Sequence, residues 1–482
     1  MTFNSIEFLI FYPIVLLLYF VLPRVARWPM LLVASYYFYM CYDPALVVLI
    51  LTTTLVSWLC SIFTERTEKR WVKRTLLIVT LVVSLGVLFF YKYFDFLSVS
   101  VAGVFSTDPV LLNLVLPVGI SFYTFQTLSY VIDVYRGNVK TERNFFFYAL
   151  FVSFFPQLVA GPIERPDNLI PQLREAHGWD KDNAIKGAKH MIVGFFKKIC
   201  VADTIAVSVN AIYNNPTEAT TLGVVIATVL FAVQIYCDFS GYTDIAIGCA
   251  RIMGIRLMKN FDHPYTATTI KEFWARWHIS LSSWFRDYLY IPLGGSRCPK
   301  WRHLMNLFIV FLVSGLWHGA NWTFVIWGAI HGVYQVIGNL TAKPRRALIE
   351  RCGRTEKSLP VVWIRRVITF ALVAFAWIFF RANNVSDAFS FVGTLFSFEG
   401  SFADTLSLME LDLNRILLVI ASLIILFITD RALKYEDVPE RLDESRILTK
   451  NGSFVYYLWA IIALWVLLVS QDLVSSFIYF QF

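Results

Sequence analysis

The chain has 482 residues, of which 57% are hydrophobic and only 16% are charged. Soluble domains average about 45–50% apolar and about 25% charged residues, so this chain has more apolar surface than a water-soluble fold can bury. The net charge of +8 does not indicate nucleic-acid binding, because no basic stripe with base-stacking aromatic residues occurs outside the flanks of apolar segments.

Apolar segments recur along the chain, and many are long enough to cross a bilayer, which takes about 17–25 residues of helix. In chain order they are 5–22, 44–63, 75–91, 110–133, 145–160, 188–210, 221–250, 304–318, 322–340, 363–380, 413–429 and 454–475. The first lacks the basic start and cleavage site of a signal peptide, so we expect it to be a membrane helix. The sequence therefore predicts an all-α polytopic membrane protein with about ten to twelve crossings.

Charged loops indicate the orientation. Residues 66–74 and 345–366 are rich in Lys and Arg, which places both loops in the cytoplasm by the positive-inside rule. A third charged segment, 431–452, has mixed sign and is expected to be a solvated connector. The seven cysteines are scattered without a CxxC pair, so we expect packing residues and no disulfides.

Polar, Gly-rich and Pro-rich stretches interrupt the apolar spans between about residues 117 and 340. Irregular backbone at membrane depth survives only where protein buries it or where it lines a cavity, so this region is expected to enclose a polar chamber. In its first stretch, 117–137, the Ser and Thr residues suit a hydrogen-bonding seam between helices. Gln126 is a candidate site residue, because an amide is costlier to bury.

The second stretch, residues 154–166, contains three prolines and a glycine. This pattern predicts a helix that enters the membrane, breaks and returns, with the candidate residue Gln157 beside the break.

The third stretch, residues 234–248, carries Asp238 and Asp244 inside an apolar span. An ionisable residue at that depth is a functional candidate by default. Their spacing puts the two carboxylates on opposite helix faces unless Gly241 bends the helix, so we expect each to orient a neighbour.

The fourth stretch, residues 261–295, mixes aromatic and charged side chains. A helix at the membrane surface explains most of this mixture, through Trp and Arg at the interface. It explains His278 less well.

The fifth stretch, residues 311–332, holds His318 between a tryptophan and a glycine. A lone histidine in an apolar helix is usually a satisfied core residue. Here Gly315 and Gly319 are expected to clear space for a narrow substrate channel with tryptophan walls, including Trp317. His278 has similar surroundings one motif earlier, which favours a functional reading.

The histidines suit acyl transfer better than metal binding. No HEXXH spacing occurs, and His318 and His331 lie on different faces of a helix, so no metal site is expected. A hydroxyl must lose its proton as it attacks a thioester, and neutral imidazole can accept that proton at cellular pH. A membrane-buried chamber excludes water, so that the thioester transfers its acyl group rather than hydrolysing.

Two segments in particular, WHISLSSWFRDYLYIPLGG (277–295) and GLWHGANWTFVIWGAIHG (315–332), resemble the membrane-bound O-acyltransferases. The likeness is closest to the bacterial branch of alginate O-acetylation, which also includes D-alanyl transferases of teichoic acid and peptidoglycan O-acetyltransferases. PVGISFYTFQTLSYVIDVYRG, VAGPIERP, DFSGYTDIAIG and the terminal FIYFQF also resemble that branch, and the similarity runs from about residue 5 to 482.

The resemblance implies a fold and a set of site residues. The fold is one domain, 1–482, with a ring of about 11 tilted transmembrane helices and re-entrant segments around a central tunnel. Residues 1–110 supply wall helices, 111–340 the catalytic core, and 341–482 further wall helices and a cytoplasmic loop. His318 is implied as the central catalytic residue and His278 as the second. The candidates for the substrate tunnel are Trp317, Asn321, Arg286, Asp287, Tyr290, Gln126, Asp238 and Gln157.

The resemblance also implies the reaction and its setting. An acyl thioester on the cytoplasmic side, acetyl-CoA in acetylating members, is the donor substrate, and no bound cofactor is expected. The acyl group crosses the inner (cytoplasmic) membrane, and a separate extracytoplasmic, esterase-like protein completes transfer to a polysaccharide. Two alternatives stay open at this point: D-alanyl transfer from a carrier protein, and a non-catalytic transporter with broken helices and intramembrane aspartates.

Overall fold

A computed structural model of the protein describes residues 1–159, 161–411 and 413–432. Within these ranges every regular element is a helix, which confirms the predicted fold class. The predicted span 454–475, the terminal FIYFQF and most of the charged segment 431–452 lie outside the described residues.

The chain folds into two compact units. The first comprises residues 1–195 and 242–258, and the second comprises residues 196–241 and those from 259 onward. The helices of the first unit are α1 (Ile6–Val21), α2 (Arg24–Met40), α3 (Val47–Arg66), α4 (Arg70–Leu88), α5 (Phe94–Phe105), α6 (Ile120–Arg136), α7 (Phe145–Ser153), α8 (Phe155–Leu158), α9 (Pro166–Arg174) and α10 (Lys181–Phe195).

The helices of the second unit are α11 (Thr204–Tyr213), the first part of α12 (Thr221–Ile252), α13 (Ile270–Arg276), α14 (Ile279–Phe285), α15 (Lys300–His318), α16 (Trp322–Leu340), α17 (Ala342–Arg351), α18 (Leu359–Arg381), α19 (Val385–Thr394), α20 (Phe402–Leu408) and α21 (Leu413–Ala432). The last part of α12, residues 242–252, belongs to the first unit. Three π-helical segments, Phe89–Tyr93, Phe196–Asp203 and Arg286–Tyr290, and two 3₁₀ turns, Pro44–Leu46 and Pro264–Thr266, join neighbouring helices.

Several helices have the length and composition of membrane spans. Among the described residues these are Pro44–Arg66, Arg70–Phe105, Thr221–Ile252 and Leu359–Arg381, and shorter apolar helices cover Ile6–Val21 and Arg415–Leu426. The protein is therefore a polytopic membrane protein. The ring of about 11 helices and its central tunnel stay predictions.

Two boundaries differ from the sequence-based expectation. The helix predicted from residue 110 begins only at Ile120, because Gly119 has a φ of +73° and a Cβ there would lie 2.5 Å from the carbonyl oxygen of Leu158. Helix α2 was not among the predicted spans. Its basic residues Arg24 and Arg27 dilute the apolar pattern, although the helix buries Leu31, Phe38 and Tyr39.

The predicted break in residues 154–166 is confirmed. Helix α7 ends at Ser153, and the four-residue α8 begins at Phe155 with Pro156 in its first turn. The backbone N–H of Phe155 donates to Ser35 Oγ at 3.1 Å rather than to the carbonyl oxygen of Phe151. The break therefore leaves the Phe151 carbonyl without its helical partner.

Helices α15 and α16 form a closely packed hairpin. A Cβ at Gly315 would lie 2.3 Å from the Phe324 carbonyl oxygen and 3.0 Å from the α-carbon of Gly328. The space beside Gly315 is thus filled by the backbone of α16, as at other close helix contacts of small residues. The expectation that this glycine opens a substrate channel is wrong.

We expect Gly315→Ala to lower the stability of the purified protein, because the added methyl group pushes α15 and α16 apart. Overpacking of this kind costs about 1–3 kcal/mol, and a lower thermal unfolding temperature in detergent measures it. The matched control is Gly338→Ala in α16, where a Cβ would meet nothing within 4 Å. Equal unfolding temperatures for the two variants would contradict the close contact.

Candidate active site

His318 is the last residue of α15 and is only 3% exposed. Its imidazole meets the rings of Trp317 and Trp327 edge-on, each with a centroid distance of 5.0 Å, and that of Phe380 at 5.5 Å. The ends of three helices, α15, α16 and α18, thus supply the histidine and its aromatic surroundings. This packing keeps bulk water away from the imidazole.

His278 is fully buried in the same unit and precedes α14. Its backbone has a φ of +45°, a left-handed conformation that histidine adopts more often than most non-glycine residues. The ring meets Phe239 at 4.7 Å and Trp317 at 6.0 Å, both edge-on. Trp317 therefore touches both histidines that the sequence singled out, and the structure brings these three residues together.

Asn260 determines which nitrogen of the His278 ring carries the proton. The Asn260 side-chain oxygen accepts hydrogen bonds from the backbone N–H of Ser280 at 3.3 Å and from the Ser280 hydroxyl at 2.9 Å. Because a backbone N–H only donates, the amide atom facing it must be Oδ1. The same Oδ1 lies 3.0 Å from His278 Nδ1. His278 Nδ1 therefore carries the proton, and the neutral ring keeps its basic lone pair on Nε2.

Asp238 belongs to a buried ionic cluster. Lys198 Nζ lies 2.7 Å from an Asp238 oxygen and 2.8 Å from an Asp203 oxygen, and all three side chains are less than 5% exposed. A buried charge requires such pairing. This pairing gives Asp238 a structural role within the second unit. Helix α12 runs unbroken past Gly241, so the bend that the sequence allowed at this glycine does not occur.

Gln126 and Gln157 meet in the first unit. Both side-chain amides donate to the carbonyl oxygen of Phe151, at 2.7 Å and 2.8 Å. This is the carbonyl that the break between α7 and α8 leaves without a helical partner. The two glutamines therefore satisfy a buried acceptor at the break.

Arg286, Asp287 and Tyr290 lie in the π-helical segment before α15. Two hydrogen bonds from Arg286 to Asp287, at 2.8 Å and 3.2 Å, raise the pKa of the guanidinium above its ordinary value. Burial raises the pKa of Tyr290, whose hydroxyl lies 2.8 Å from His303 Nδ1. At 1.5 Å per residue, α15 separates His303 from His318 by about 22 Å. The structure does not bring these three candidates to His318.

Asn321 lies three residues after His318 and directly before α16. Its side-chain oxygen accepts the backbone N–H of Thr323 at 3.0 Å, and its amide donates to the carbonyl oxygen of Asn383 at 3.0 Å. Asn321 is therefore a helix N-cap that ties the start of α16 to the end of α18. This arrangement fixes the turn that follows His318.

Residues 139–375 match the model of the family described as MBOAT, membrane-bound O-acyltransferase. The probable alginate O-acetylase AlgI of Pseudomonas putida is 37% identical over the full length of both chains. The peptidoglycan O-acetyltransferase of Helicobacter pylori is 34% identical over 78% of this chain and 76% of its own. The teichoic acid D-alanyltransferase of Bacillus subtilis is 30% identical over 56% of this chain and 70% of its own.

The chain belongs to the membrane-bound O-acyltransferase family. It is accordingly an acyltransferase embedded in a membrane, and the hypothesis of a non-catalytic transporter is not retained.

Several residues that surround the histidines of this membrane-bound O-acyltransferase could not be recognised from the sequence. Asn260 and Phe380 reach His278 and His318 only through tertiary folding. His331 accepts a hydrogen bond at Nδ1 from Trp274 Nε1 at 3.1 Å and meets Trp327 at 5.0 Å.

We expect nitrogen-15 NMR of histidine-labelled protein in bilayers to show His278 with its proton on Nδ1, because Asn260 Oδ1 holds that proton. Asn260→Leu removes the acceptor and is expected to add the Nε2–H form. The signal that disappears in His278→Asn identifies the residue.

Asn306→Leu is the control, because it removes another buried amide from this unit, one that donates to the carbonyl oxygens of Leu293 and Gly295. It is expected to leave the His278 signals in place. A His278 spectrum unchanged by Asn260→Leu would contradict the assigned hydrogen bond.

Proposed function

We propose that this acyltransferase takes an acetyl group from a cytoplasmic thioester, acetyl-CoA, and passes it across the inner membrane for O-acetylation of an extracytoplasmic polysaccharide. His318 accepts and relays the proton, and His278 orients or polarises the reacting groups. A separate extracytoplasmic esterase-like protein completes the transfer to the sugar. The observation that carries the proposal is that two buried imidazoles, those of His278 and His318, both pack against the indole of Trp317.

The surroundings of His318 suit a group transfer that competes with hydrolysis. Three aromatic rings within 5.5 Å of the imidazole limit the entry of water. A thioester that reacts here meets an alcohol instead of bulk water. The neutral ring of His278, with its lone pair on Nε2, adds a hydrogen-bond acceptor of fixed direction.

The transfer step balances without a cofactor. The hydroxyl oxygen of the acceptor alcohol attacks the thioester carbonyl carbon, and the hydroxyl proton moves to the imidazole of His318. The carbonyl oxygen becomes an oxyanion in the tetrahedral intermediate. When this intermediate collapses, the C–S bond breaks, and the imidazolium returns its proton to the leaving thiolate. A C–O ester bond has formed, and the thiol leaves.

The chain direction supports an acceptor outside the cytoplasm. Helix α16 ends at Leu340, next to the basic residues 345–366, which the positive-inside rule assigns to the cytoplasm. His318 lies just before the start of α16, at the opposite end of this 19-residue helix. The length of α16, about 28 Å, therefore separates the histidine from the helix end that precedes the basic residues. Two of the relatives are named for the O-acetylation of alginate and of peptidoglycan.

We expect His318→Ala to abolish acetylation of the surface polysaccharide while the protein still accumulates in membranes. The loss of a general base lowers the rate by about 10²–10⁴-fold. The measurement is the ester-linked acetate that mild base releases from the cell-surface carbohydrate, with the variant protein quantified in the same membranes.

His263→Asn serves as the control. It also removes an imidazole from a left-handed residue (φ +48°) of the second unit, but this histidine is partly exposed and paired with Asp262. Its acetate yield is expected to match the wild type. Normal acetate in the His318→Ala strain would refute the proposed role of His318.

The second candidate reaction is D-alanyl transfer to teichoic acid from a carrier protein. The relative with that name supports it, but the identity is lower and covers little more than half of this chain. The acetylase relative matches the whole chain at 37% identity. Acetyl transfer is the better-supported reaction for this reason.

A donor assay separates the two reactions. We expect the purified protein in bilayers to consume the thioester of acetyl-CoA and to leave a D-alanyl carrier protein intact, with free thiol as the readout. His318→Ala protein corrects for spontaneous hydrolysis. Consumption of the carrier thioester alone would favour D-alanyl transfer.

A further inference from the structure

Helix α16 carries three polar side chains that are fully buried: Thr323, Trp327 and His331. They follow one another at intervals of four residues, so they lie one above another on a single face of the helix. Within the described part of the chain, Thr323 Oγ1, Trp327 Nε1 and His331 Nε2 have no hydrogen-bond partner. We call these three residues the donor row.

The three atoms have the same hydrogen-bonding character. An indole N–H only donates, so the bond from Trp274 Nε1 makes His331 Nδ1 an acceptor. A neutral His331 ring must then carry its proton on Nε2, which becomes a donor. Trp327 Nε1 is a donor by constitution, and the Thr323 hydroxyl can donate. This face of α16 therefore offers three buried donors.

A second indole of this aromatic cluster has an acceptor for its N–H. Trp377 stacks on Trp327 at 5.7 Å with an interplanar angle of 17°. Its Nε1 donates to the hydroxyl of Tyr265 at 3.2 Å, so the cluster satisfies that indole. Buried donors without acceptors are rare in proteins because their desolvation is uncompensated. An oxygen acceptor from a bound molecule would compensate it.

The position of Trp327 identifies the kind of acceptor. Its ring meets the imidazole of His318 edge-on at 5.0 Å and packs against Phe380 at 5.1 Å, so it is held firmly beside the proposed base. The oxygen that gains negative charge near this base is the carbonyl oxygen of the acyl group. A fixed donor in a site that excludes water stabilises such an oxyanion strongly.

We propose that Trp327 Nε1–H is a catalytic donor that binds the acyl carbonyl oxygen and stabilises the oxyanion formed during transfer. Thr323 and His331, one turn to either side, bind further oxygen atoms of the thioester substrate. As the acceptor oxygen adds to the carbonyl carbon, charge moves to the oxygen held by Trp327. It returns when the C–S bond breaks and the thiolate takes the proton from His318. This inference rests on the proposed acyl transfer.

The test compares Trp327→Phe with Trp377→Phe in the full-length protein in bilayers, with acetyl-CoA as the donor. Both changes remove an indole of similar burial and leave an aromatic ring, so their packing losses are matched. We expect Trp327→Phe to lower kcat on the order of 10²-fold with little change in KM, because the bond strengthens in the transition state. Trp377→Phe is expected to keep kcat within a few-fold of the wild type.

We expect the two variants to rank in the opposite order in thermal stability, measured by unfolding without substrate. Trp377→Phe loses its bond to Tyr265 and is expected to unfold at a lower temperature than Trp327→Phe, which loses only an unmatched donor. Thr323→Val, which keeps the side-chain shape, is expected to raise KM for acetyl-CoA several-fold without lowering the unfolding temperature. It tests the donor row even if Trp327→Phe does not fold.

A wild-type kcat in folded Trp327→Phe, or an unchanged KM in Thr323→Val, overturns the inference. If His318→Ala is inactive while Trp327→Phe is fully active, only the role of the donor row fails. If His318→Ala transfers acetyl normally, the proposed function fails with it.

Discussion

Polar groups buried among apolar side chains must find their partners inside the protein, and this constraint decides much of the described structure. The Phe151 carbonyl, freed by a helix break, receives the amides of Gln126 and Gln157. The ammonium group of Lys198 lies between two carboxylates. In each case the chain supplies what water would supply at a surface. The buried donors of α16 that have no acceptor within the described residues depart from this pattern, which is why we assign them a substrate oxygen.

The sequence predicted the helical class and several elements well, because long apolar runs and proline clusters are local signals. The break after Ser153 followed from Pro156, and α18 followed from an apolar run. Helix α2 was missed because its first turns carry two arginines. The late start of α6 was missed because it depends on the approach of Gly119 to Leu158, a tertiary contact that no local pattern contains.

The candidate site was predictable only in part, because some of its features are local motifs and others are tertiary contacts. His318 and His278 were identified by their motifs, and Trp317 joins them in the structure. Asn260 could not be recognised, since its partner lies eighteen residues further along the chain. Gly315 was wrongly expected to open a substrate channel. A residue without a side chain suggests free space, but in the fold the backbone of a neighbouring helix occupies that space. The aspartate at 238 was identified correctly as a buried charge, but its partner Lys198 was not.

These pieces form a layered support for one imidazole. Asn260 holds His278 at Nδ1, and the same ring packs against Phe239 at a right angle. Phe239 follows Asp238 on α12, and Asp238 is bound by Lys198. The ionic cluster thus anchors the turn of α12 that positions Phe239. Losing one charge of such a cluster leaves the others buried and uncompensated. The cluster and the histidine are therefore linked through a single helical turn, although no charge of the cluster needs to meet a substrate.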